Sequence, residues 1–122
     1  MSEAEELEPA TVLAVAGAEL DRAPLAAENV VSGAPIEGHR LLAMSGDVAV
    51  GIWELSHGVA RDVESDEVFV VVAGKATVEI AARDGWAAST LELQPGSVVR
   101  LVAGMHTVWI IHETIRKFYV SL

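Results

Sequence analysis

Any chemistry in this sequence has to come from carboxylates, four histidines and a few aromatic rings. There are no cysteines, which removes disulfides, thiolate catalysis and Cys-ligated zinc or iron–sulfur centres together. Asp62, Glu64, Asp66 and Glu67 form a cluster of carboxylates. Carboxylate oxygens are what calcium prefers, yet no loop of recognisable ligand spacing accompanies them, and a solvated acidic loop is the expected reading. Glu67 stands apart because it begins an otherwise apolar run. His39, His57 and His112 read as surface or loop histidines. No Ser-His-Asp order, Gly-rich phosphate loop or H-E-x-x-H signature is present.

The chain that must position these groups has 122 residues, 52% of them hydrophobic and 21% charged. That suits one domain with a real core and argues against disorder. Eight Lys plus Arg stand against 18 Asp plus Glu, for a formal net charge of -10. The basic residues are scattered singly apart from Arg116-Lys117, so no nucleic-acid footprint is visible. Residues 1–9 carry four Glu and no Lys or Arg, the opposite of a secretory leader. The apolar stretch Ala10–Ala18 is too short for a bilayer, which needs about 20 residues. The expectation is a cytoplasmic protein with no membrane partner.

Residues 1–30 read as an acidic tail followed by an irregular or short-strand lead-in. Thr11–Val15 suits either a short strand or a helical piece, and Pro24 interrupts any helix. From residue 31 to 122 short apolar or alternating runs are separated by Gly, Pro and Asp turn signals, the pattern of an all-β domain. The runs are Arg40–Met44, Val48–Leu55, Glu67–Val72, Lys75–Ala81, Thr90–Leu93, Ser97–Leu101, His106–His112 and Arg116–Leu122. In Lys75–Ala81, Ala76, Val78 and Ile80 point one way while Lys75, Thr77 and Glu79 point the other. Val48–Trp53 and Val68–Val72 are apolar on both faces, which calls for a second sheet inside and a partner outside. A closed sandwich or barrel follows.

Three stretches, DEVFVVVAGKATVEI, LELQPGSVVRLVAG and VWIIHETIRKFYV, resemble a cupin, a double-stranded β-helix of jelly-roll type. Glu67, six residues and Gly74 match the end of the family's first motif, and Gly96 and Gly104 match the glycines of its second. The resemblance covers residues 31 to 122. GIWE, the Trp109 strand and the terminal RKFYV resemble more narrowly the branch holding ureidoglycine aminohydrolase and the ethanolamine-utilisation cupins. Many of that branch are small bacterial proteins without an assigned activity.

Metal-dependent cupins hold iron, manganese or a similar ion through two His and the Glu of motif one and the His of motif two. Here the motif-one His positions fall on Ala60 and Asp62, or on Arg61 and Val63, and the motif-two position is Thr107. Only Glu67 survives. One carboxylate does not hold a transition ion against water, so no standard metal centre is expected. A rival register uses Gly51, His57 and Glu64 but leaves Gly74 unexplained. His106 lies one residue from the motif-two position, and a bulge near Gly104-Met105 would be needed to turn it inward.

The resemblance points Glu67 into the barrel, where a lone carboxylate needs a polar partner or a raised pKa. It then serves either as anchor or acid/base for a ligand, or as a carboxylate bonded to a neighbour. Trp109, Trp53, Thr107, Tyr119 and Phe69 are the other candidate lining residues, with core packing as their alternative. Lys117 is expected at the surface, and Trp86 at a hairpin tip. Three functions stay open. The first is a small-molecule-binding cupin without a metal or other cofactor. The second is an enzyme resembling ureidoglycine aminohydrolase, with a divalent transition metal on Glu67 and His106, and with Tyr119 or His57 as further ligands. The third is a structural role. A homodimer, buried through outward residues such as Val108 and Ile110, is compatible with each.

Overall fold

The structure is a computed structural model that describes residues 5–122. Nine strands follow in order: β1 Asp21–Pro24, β2 Val30–Ser32, β3 Ile36–Ser45, β4 Val48–Leu55, β5 Gly58–Val63, β6 Glu67–Ile80, β7 Ser89–Leu93, β8 Val98–Leu101 and β9 His106–Ser121. A single 3-10 turn, Ala27–Asn29, precedes β2. The all-β jelly-roll expectation is met.

Two long strands make the architecture. In its first half β6 pairs with β8 and with the C-terminal half of β9; in its second half it pairs with β7 and with the N-terminal half of β9. The C-terminal half of β9 also pairs with β4, and its N-terminal half with β5. One curled sheet thereby becomes two layers, β1-β3-β4-β9-β6-β8 and β2-β5-β9-β6-β7. The runs on either side of Gly74 and of residues 113–115 are therefore single strands that bend, not pairs of strands joined by turns. Gly74 makes the first bend possible, with φ +87° and the Thr114 carbonyl where a Cβ would stand.

Between the layers lie Leu55, Ala60, Phe69, Val71, Ala76, Val78, Leu101, Trp109, Ile111 and Ile115. The alternation read for Lys75–Ala81 holds, with Ala76, Val78 and Ile80 buried. The outer face of β4 is covered by the chain itself. Ile52 there is 0% exposed. Beside it, Arg116 donates to Glu54 and to the carbonyls of Val15, Ala16 and Ala18 at 2.9, 3.1 and 2.9 Å. That guanidinium straps the lead-in across the sheet, and a partner molecule is not needed at this point. Thr11–Val15 takes up neither helix nor strand. Of the acidic start, residues 1–4 lie outside the described part, while Glu5 and Leu7 exchange backbone hydrogen bonds with Met44.

Candidate functional site

Strand alternation decides which side chains meet at the barrel mouth. On β9, Thr107, Trp109, Ile111, Ile115, Lys117 and Tyr119 face inward; on β4, Trp53 and Leu55 do; on β6, Glu67 and Phe69 do. Trp53 lies opposite Lys117, and Gly51 lies opposite Tyr119. A Cβ at Gly51 would overlap the Tyr119 ring, so the glycine makes the space that the phenol fills. A cavity of about 250 Å3 opens here, walled by Trp53, Trp109, Tyr119, Glu67, Lys117 and His39, with Asp62 and Glu64 on one side.

Four of the expected residues, Glu67, Trp109, Trp53 and Tyr119, line this cavity. Phe69 and Thr107 do not. Phe69 lies beneath, packed against Trp109 at 5.9 Å between ring centres. Thr107 is buried and donates its hydroxyl to Glu64 at 2.6 Å. Trp109 is 3% exposed yet still contributes to the wall, so the core and lining readings both apply to it.

The polar partners were not visible in the sequence. Lys117, expected at the surface, is 6% exposed and forms an ion pair with Glu67. That pair is the polar partner a buried Glu67 requires. The Lys117 ammonium also lies 4.9, 4.4 and 5.1 Å from the ring centres of Trp53, Phe69 and Trp109. Glu64, expected in a solvated loop, is 8% exposed and accepts from Thr107 and, at 3.0 Å, from the Trp109 indole N–H. His39 is exposed, as the surface reading expects, yet it bonds the Tyr119 hydroxyl through Nε2 at 2.6 Å and stacks on its ring. Glu37 accepts from the Trp53 indole N–H at 2.8 Å. The signal that could have found His39 is its position two residues from Glu37, on the inward face of one strand.

Burial, and secondarily the charge of Glu64, pushes the Asp62 carboxyl up to about 6. Burial, with the Glu67 charge adding to it, also raises the Tyr119 phenol above its ordinary value. The Tyr119 hydroxyl therefore keeps its proton within hydrogen-bond distance of the His39 ring. Chemically the mouth offers one hydroxyl–imidazole pair, one ammonium–carboxylate pair and two indole walls.

A family profile described as the EutQ-like cupin domain matches residues 42–119. This chain belongs to that cupin family. Among solved structures, EutQ from Clostridium difficile is similar at 16% identity and a TM-score of 0.60, over 71% of this chain and 68% of that one. A conserved protein of unknown function from Streptococcus pyogenes is 17% identical with a TM-score of 0.60, over 100% and 95%. A protein of unknown function from Pseudomonas syringae is 19% identical with a TM-score of 0.68, over 98% of this cupin but 52% of its own length. Likeness at this identity speaks for the fold alone. No curated protein matches the sequence.

The ligand set of metal-dependent cupins does not fit these residues. Glu67 is engaged by Lys117, and the motif-two position is a threonine whose hydroxyl is spent on Glu64. His106 is exposed and points from the outer face of β9 into a groove of about 910 Å3, away from Glu67. His57 is exposed in the turn between β4 and β5. Among the described residues, no three His, Cys, Asp or Glu side chains converge as metal ligands.

Proposed function

We propose that this cupin binds a small polar organic molecule in the mouth of its barrel without a metal centre of the family's usual kind. The observation that carries this reading is the cavity itself. Its lining joins indole walls to a few convergent polar groups, the general make-up of a small-molecule site. At about 250 Å3 it has room for roughly eight waters, which suits a metabolite. Trp53 and Trp109 supply stacking surface, Tyr119 and His39 supply one donor–acceptor pair, and Glu67–Lys117 supplies fixed charge. The same groups are capable of proton transfer at the Tyr119 oxygen, so turnover is compatible with the site and is no part of the proposal.

The test is a metabolite screen read by thermal shift and by tryptophan fluorescence together. Bound compounds should raise Tm and change the fluorescence, because two of the three tryptophans wall the cavity. Trp53→Leu and Tyr119→Ala should abolish both responses. Hits that survive these substitutions, or a broad screen with no hits, would remove the reading.

A further inference from the structure

The mismatch between this barrel and its metal-binding relatives has a positive side. Glu67 occupies the one retained ligand position, and its charge is met by a cation that belongs to the chain. Lys117 lies opposite Trp53 on β4 and Val71 on β6, while Glu67 lies four residues further along, opposite Ser121. The lysine stem therefore runs toward the mouth to bring Nζ to Glu67. Around that ammonium stand one carboxylate and three aromatic rings, at 4.4 to 5.1 Å to their centres. Carboxylate plus ring faces is the environment that holds an organic ammonium ion. Arg116, the neighbouring residue, faces the other side of the sheet and is committed to Glu54, so Lys117 supplies the positive charge in this cavity.

We infer that Glu67, Trp53, Phe69 and Trp109 form a cation site which the Lys117 ammonium fills permanently, in the place where metal-dependent cupins carry their ion. This rests on the metal-free part of the function proposed above and extends it. A metal ion exchanges ligands through open positions, whereas an ammonium offers only hydrogen bonds and charge. A molecule entering this mouth is therefore oriented by Lys117 and Glu67 without being coordinated. A divalent ion meets a site whose carboxylate is neutralised and whose place is taken.

Truncation with chemical rescue tests this. Lys117→Ala empties the site, and its Tm should fall. Ethylammonium or propylammonium should restore a rise of about 4 °C or more, while sodium chloride at equal ionic strength and neutral propanol should not. If Lys117→Ala does not fold, the same amines should restore folding. Lys117→Met keeps the bulk of the stem without the charge, and it should be clearly less stable than wild type. The wild-type chain should hold no manganese, iron, nickel or zinc by elemental mass spectrometry after growth in supplemented medium.

Three results would overturn the inference: no rescue beyond the salt control, a Lys117→Met variant as stable as wild type, or near-stoichiometric metal with Lys117 in place. The function proposed above fails elsewhere. A metal-free wild type that shows rescue in Lys117→Ala but binds nothing in the screen would keep this site and remove the ligand.

Discussion

Lys117 and Glu67 show how much a single residue's surroundings alter its role. Their side chains are 7% and 15% exposed. Removing one partner of so buried a pair strands the other charge, at a cost of about 3–5 kcal/mol, whereas replacing both with apolar groups is often neutral. Glu67→Leu alone should thus be far more damaging than the double change Glu67→Leu with Lys117→Leu, as urea unfolding of the two variants would show. Asp62 acts through pH instead. Its carboxyl titrates at about 6 in the folded chain against 3.8 for the free group, so the folded state holds this proton more tightly. The charged carboxylate destabilises the fold above about pH 6, and that penalty disappears as pH falls toward 3.8. Asp62→Asn should raise Tm at pH 7 to 8 and change little near pH 4, measured by thermal unfolding across that range. Glu67, Trp53, Trp109 and Tyr119 could be found in the sequence because the cupin resemblance, read together with strand alternation, points them into the barrel. Lys117 and Glu64 could not, since each is defined by a partner 50 or 43 positions away.

At the scale of elements, the informative places are those where a turn signal is not a turn. Ala73-Gly74-Lys75 reads as a break between two strands, yet β6 runs through it and bends from one layer to the other. Local sequence reports that a glycine is needed, but whether it ends a strand or bends one depends on β9 crossing beneath. Gly74→Ala would put a methyl group onto the Thr114 backbone as well as straining a φ of +87°. A loss of at least about 2–3 kcal/mol is expected. Gly85 has φ +89° with nothing within 4 Å, so Gly85→Ala should cost only about 1 kcal/mol for its backbone. Chemical denaturation of the two variants separates close approach from backbone preference. The lead-in was equally hidden. Nothing in Val15–Ala18 announces that its carbonyls meet Arg116, 98 to 101 residues away. Burial pushes the Glu54 carboxyl up, but the hydrogen bonds and charges of Arg22 and Arg116 outweigh it and hold the group below 4.5. Glu54 thus contributes stability that is present above pH 4.5 and lost as pH falls through its lower folded value. Glu54→Gln should weaken the protein at pH 7 and flatten its acid-unfolding limb, and limited proteolysis should then cut within residues 11–19.

The whole molecule sets an apolar surface against a large charge. The strap covers the outer face of β4, but Val68, Val70, Phe118 and Val120 stay only half-buried, and Val98 beside them is 69% exposed. We propose that two copies meet through this face, because a row of this kind on a sheet is the sort of surface that dimers cover. Each copy also carries a formal charge of -10, which opposes the approach. Salt decides between these terms, since the Debye length shrinks from about 30 Å at 0.01 M to about 8 Å at 0.15 M. Burial of apolar area is indifferent to that change, while repulsion between the copies is largely screened. Sedimentation equilibrium should therefore show a dimer whose association tightens as salt rises, and Val70→Lys or Phe118→Lys should return it to monomer at every salt concentration. A chain that stays monomeric throughout would leave the row as ordinary surface. Association that weakens with salt would instead place charged residues such as Arg100 and Asp66 at the contact, and would move the interface to the rim of β8.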